Sequence, residues 1–136
     1  MKYLPALTAS AVLSVLGACL GAAEGDPERG EALYLEHCVA CHGVDLEGKG
    51  PMAGVMIIKP SDLTALSAGN DGVFPLVRVI KRIDGRDPLV SHGSPMPVYG
   101  TLFEGRDLAL KTETGQPIMT SQPVADLTVY LEGVQK

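Results

Sequence analysis

The sequence has no tryptophan, and only two phenylalanines and four tyrosines among its 136 residues. A chain of this length makes one domain, and large aromatic side chains normally fill much of such an interior. Their scarcity implies that something other than side chains occupies part of the core. Lysine and arginine total 11 and nowhere form a run, which argues against a nucleic-acid binder held by phosphate contacts. Charged residues are 20 % and hydrophobic ones 46 % of the chain, so it is not disordered by composition. Internal repeats and low-complexity tracts are absent. No acid/base pair, activated nucleophile or phosphate loop stands in a recognisable setting, so no bond-making chemistry is expected.

Charge is also missing from one long stretch. Tyr3 to Ala23 carries none, after Met1-Lys2 and before Glu24-Gly25-Asp26-Pro27-Glu28. A basic start, an apolar middle and a small-residue end read as an export signal. Pro5, Thr8, Ser10 and Ser14 dilute it below a permanent membrane helix, and acids rather than cations follow it. Two cuts are open. Gly21-Ala22-Ala23 suits an ordinary peptidase, giving a signal over 1–23 and a domain over 24–136. Leu16-Gly17-Ala18-Cys19 resembles a lipobox, in which Cys19 is acylated. Either way the expected location is the periplasm, soluble or lipid-anchored, with the membrane touched only through Cys19.

The other two cysteines stand in Cys38-Val39-Ala40-Cys41-His42. A disulfide between them closes only a tiny loop and stabilises little. A zinc site needs a second ligand pair, and the only other histidines are His37 and His92. A thioredoxin-like pair needs a βαβ frame that the flanks do not show. C-x-x-C-H is the attachment signature of c-type haem, and it uses every residue of the motif. Two thiols three apart can add to the two haem vinyl groups, and the next residue, His42, reaches the iron from the same side.

The flanks read as helices and loops. Asp26-Pro27 starts a helix running to about His37, and Gly43, Gly48, Gly50 and Pro51 mark a loop. Ser61-Asp62 opens a short helix ending near Gly69. Asn70-Asp71 opens another, with Val73, Leu76, Val77, Ile80 and Ile83 on one face and Gly85 at its end. Residues 86–122 hold turn formers and no convincing helix. Val124, Leu127, Leu131 and Val134 form the apolar stripe of a last helix. The expected fold class is all-α.

From residue 26 to 136 the chain resembles a class I, mitochondrial-like bacterial monohaem cytochrome c. The resemblance rests on Gly30, Leu33, Tyr34, Cys38, Cys41, His42 and Gly43, on Gly50-Pro51, and on Pro60-Ser61-Asp62-Leu63-Thr64. It continues through Asp84-Gly85-Arg86, His92-Gly93 and Met96-Pro97-Val98-Tyr99-Gly100 to Leu127 and Tyr130-Leu131. It implies first and last helices crossing at Gly30, beside Tyr130, around one covalently attached haem c per chain. The implied activity is transfer of single electrons between redox proteins, as a carrier or as the electron-accepting subunit of a dehydrogenase or oxidase complex. An open sixth position, binding gas or reducing peroxide, is a further alternative.

Cys38 and Cys41 would carry the thioethers and His42 the first axial bond. For the second, the candidates outside the export signal are Met52, Met56, Met96, Met119, His37 and His92. His37 is expected to face solvent, and Met52 and Met56 follow His42 too closely to cross to the other face. Met96, between Pro95 and Pro97, has the family's usual setting for the ligand methionine. Met119 is second choice and His92 third. Pro51 resembles the family proline whose carbonyl accepts the ring N–H of the axial histidine. Tyr99 stands where many relatives carry tryptophan, with a hydroxyl that could bond a haem propionate. Residues 48–96 carry six cations against four acids in an otherwise acidic chain, so a neutral or positive docking face is expected there.

Overall fold

Asp26 and Pro27 start the first helix as their chemistry dictates. In the computed structural model, which describes residues 25–87 and 95–136, α1 runs Pro27–His37, and the Asp26 carboxylate accepts from the backbone N–H groups of Glu28 and Arg29. One further turn follows, α2 (Val39–His42), then α3 (Leu76–Asp84). A hairpin of β1 (Asp107–Lys111) and β2 (Pro117–Ser121) precedes α4 (Gln122–Gly133). Among the described residues no helix is long and apolar enough to cross a membrane. The export signal, Cys19 and His92 lie outside them.

The core forms where α1 and α3 pack on α4, around Tyr34, Ile80, Val124 and Leu127, all almost fully buried. Gly30 makes the α1–α4 crossing possible. A Cβ there would lie 2.1 Å from the Asp126 carbonyl oxygen and 2.7 Å from Tyr130 Cβ, and at Gly25 one would lie 2.5 Å from the Ala125 carbonyl oxygen. The buried Asp126 carboxylate locks the crossing by accepting from the Asp26 backbone N–H and the Gln122 amide, both at 2.7 Å. Because Gly30 meets backbone, which cannot rotate aside, Gly30→Ala must push the helices apart. The expected loss is about 3 kcal/mol or more of stability. Thermal unfolding of the haem-loaded variant should show a melting temperature lower by roughly 10 °C; an unchanged one would refute the crossing.

Three expectations change. The helix beginning at Asn70-Asp71 begins instead at Leu76: Asp71 is left-handed (φ 54°) and Pro75 is the N-cap. A proline disfavours helical backbone in the residue before it, so the helix can begin only after Phe74. The helix expected over 61–69 is two 3₁₀ turns, Leu63–Ala65 and Ala68–Asn70. Within 86–122, a stretch of turn formers with no convincing helix in the sequence, the hairpin sets Leu108 and Leu110 opposite Thr120 and Ile118 on its inner face. Gly115 (φ 80°) sits in its turn. The all-α description therefore holds for the helices that form the core, with one small antiparallel ribbon added.

The charge excess of residues 48–96 is partly neutralised within the chain. Lys49 pairs with Glu47, Arg82 with Asp87 and Arg86 with Asp84. Asp84 and Asp87 already stand among the four acids of that stretch, so only Glu47, from outside it, offsets part of the excess.

Candidate haem-attachment site

α1 ends at His37, and Cys38 closes it by donating its N–H to the Tyr34 carbonyl. The next turn is helical again, with His42 N–H on the Cys38 carbonyl at 2.9 Å. On a helical turn, residues three and four apart share a face. Cys38, Cys41 and His42 therefore project together, and all three are partly buried. Both cysteines are free thiols. Burial, and secondarily Cys41, push the Cys38 thiol up to about 11.

The chain after α2 is built to satisfy the carbonyls that its end leaves open. Gly48 N–H donates to His42, Gly50 N–H to Cys41 and Met52 N–H to Ala40. Gly50 has to be glycine, since a Cβ would lie 2.5–2.7 Å from the Val39 and Ala40 oxygens and the Cys41 carbonyl carbon. The Tyr34 hydroxyl donates to the Gly43 carbonyl from within the core. The motif is thus pinned from below by α1 and from behind by the loop.

His42 Nδ1 lies 3.0 Å from the Ser61 carbonyl oxygen, 19 residues on. Burial lowers the His42 pKa from its ordinary value, opposed by the bond to Ser61. The neutral ring is thereby favoured. With Nδ1–H donating to a carbonyl, Nε2 keeps the lone pair a metal needs. The expected partner, Pro51, does not fill this role. It sits in the exposed turn held behind α2 by Gly50 and Met52. The chain returns to the histidine only after Pro60, where Leu63 N–H bonds the Leu46 carbonyl. Pro60-Ser61-Asp62 is visible as a matching segment in the sequence, but the function of its carbonyl is not.

Met96 is half-buried and packs against the core. Its segment hangs on the end of α3, through Tyr99 N–H to the Ile83 carbonyl and the close seat of Gly100 on the Asp84 carbonyl. Met119 is 53 % exposed, on the outer face of β2 opposite Ala109, and Arg86 binds its carbonyl oxygen. Met52 is exposed as well.

The Tyr99 hydroxyl donates to the His37 carbonyl at 3.0 Å. His37 is only partly exposed: its ring stands edge-on to Phe103, 5.2 Å between centroids, and Tyr99 stacks on the same phenylalanine. Phe103, missed in the sequence, is the buried base of this cluster.

The residues fit a covalently held haem. Two free thiols and one oriented, neutral imidazole share one helical face, and no three His, Cys, Asp or Glu side chains among the described residues form an ion-holding group. The family model for cytochrome c matches residues 27–135. The comparisons with curated proteins and with solved structures give no match.

Proposed function

We propose that this chain, which belongs to the cytochrome c family, relays single electrons between redox proteins through an iron ligated by His42 and Met96. Haem binding and electron transfer are the family's function, and the cofactor is covalently attached haem c with its iron. When bound, that group supplies the redox change itself. The observation that carries the reading is the single turn presenting Cys38, Cys41 and His42 together, with Nδ1 tied to Ser61.

Each residue has a separate task. Cys38 and Cys41 fix the macrocycle to the chain. His42 supplies Nε2, and the Ser61 carbonyl sets the tautomer, the ring plane and the basicity of that nitrogen. The Met96 thioether favours ferrous iron relative to a second imidazole. Met96 is favoured over Met119 because it packs against the core, whereas Met119 stands in solvent on the hairpin. A filled sixth position leaves little to move when an electron arrives, which suits a carrier and not an enzyme. The uncharged leader before Glu24 supports export to the periplasm, where donors and acceptors would be met.

Carbon monoxide separates this reading from an open-site haem protein. The absorption spectrum of the native reduced protein should not change when the gas is added at neutral pH. Rapid formation of a carbonyl spectrum would show that no side chain holds the sixth position.

A further inference from the structure

The segment Leu63–Asn70 forms two 3₁₀ turns and no α-helix. The far end of the chain enters the first of them. In an α-helix the Ser67 N–H would donate to the Leu63 carbonyl. Here the Gln135 side chain stands between them: Oε1 accepts from Ser67 N–H at 2.9 Å, and Nε2 donates to the Leu63 carbonyl at 2.7 Å. The second Nε2 hydrogen goes to the Leu131 carbonyl at 2.7 Å, on α4 itself. Lys136 N–H takes the Thr64 carbonyl at 2.9 Å, the acceptor that Ala68 N–H would use in a helix. Both Nε2 hydrogens and the oxygen of the Gln135 amide are engaged. The amide can point only one way, because reversal would set its NH₂ against an N–H and its oxygen against two carbonyls.

This wedge acts on the segment that begins with Ser61. Asp62 caps the first turn through Thr64 N–H and Oγ1, so the path from the Gln135 amide to the Ser61 carbonyl is one short, bonded stretch. That carbonyl is the one on His42 Nδ1. We propose that Gln135 is a positioning residue for the axial histidine: by holding the 63–67 turn open, it places the Ser61 carbonyl on the imidazole and sets the ligand's basicity. The inference rests on His42 being the iron ligand.

The test uses the haem-loaded protein. Without the wedge, Leu63 and Ser67 can pair with each other, the turn rewinds and the Ser61 bond weakens. Gln135→Ala should therefore speed solvent exchange of the His42 Nδ1 proton, followed by NMR in the ferrous state, by roughly five- to tenfold, as for one weakened hydrogen bond. A less basic imidazole stabilises ferric iron less, so the reduction potential should rise. Gln135→Glu keeps the acceptor for Ser67 but turns a carboxylate on two carbonyls, and it should shift both readouts the same way. Lys136→Ala loses the side-chain contact with Glu47 and a minor charge interaction with Asp62, keeps its backbone bond to Thr64, and should move neither. If the glutamine variants melt earlier while exchange and potential stay at the native values, Gln135 is only a structural clamp and the proposal falls. A native protein whose spectrum shows a haem not ligated by histidine would overturn the functional reading, and this inference with it.

Discussion

Reduced Met96→Ala protein should bind carbon monoxide readily where the native protein does not. Removing the thioether leaves His42 as the only protein ligand, so the vacant position goes to water, to an added ligand or to a rescuing side chain. The soft sulfur that favours ferrous iron is gone, and the reduction potential should drop by on the order of 100 mV, a fraction of the ~0.8 V range that axial ligands command. Weak peroxidase activity should accompany the opened site. The haem itself should remain, because the bonds to Cys38 and Cys41 do not depend on Met96. The near-infrared sulfur-to-iron charge-transfer band identifies the ligand directly. It should vanish in Met96→Ala and persist in Met119→Ala. The reverse pattern would move the ligand to the hairpin, against the exposure of Met119.

What could be read from the sequence was decided by short-range chemistry. Asp26-Pro27 states its helix start through a side-chain cap and a preset φ, and the C-x-x-C-H spacing states its own use. The stripe from Val124 to Leu131 announces a buried helix face, whereas the crossing at Gly30 came only from the family resemblance. What was not legible depends on contacts distant in sequence. Which carbonyl meets His42 is settled by a chain return over 19 residues. That Ser67 N–H meets a glutamine 68 residues away, and not a carbonyl of its own turn, is equally invisible locally. The hairpin is an intermediate case. Asp107-Leu108-Ala109-Leu110-Lys111 alternates as a half-buried strand should, and Gly115 supplies a turn residue at φ 80°. That period-two signal is only five residues long, and a helical frame on either side concealed it. The cluster around Phe103 is hidden for another reason: nothing near His37 or Tyr99 in the sequence shows that both rings will meet Phe103.

Cys41→Ser, or expression without haem attachment, should leave most of the chain unfolded or degraded. The described structure is unevenly held. α1, α3 and α4 share a side-chain core, whereas between Gly43 and Asp62 Leu46 is the only apolar side chain that is buried. That stretch is fastened largely by backbone bonds to α2 itself, at His42, Cys41 and Ala40, and by the Ser61 bond to the His42 ring. Met52, Val55, Ile57 and Ile58, within it, are exposed. Its order is thus derived from the motif, and apolar burial at ~25 cal/mol per Å² is the main stabilising force available to so small a domain. A covalently bound macrocycle supplies apolar surface where this chain has little. One lost thioether should therefore cut the yield of loaded protein sharply, and the haem-free product should lack a cooperative melting transition in far-ultraviolet circular dichroism. Hydrogen exchange should locate the failure, with residues 43–62 unprotected and any surviving protection confined to the α1–α4 crossing. A haem-free chain that melts cooperatively, with residues 43–62 protected, would show that side chains alone suffice to hold the motif in place.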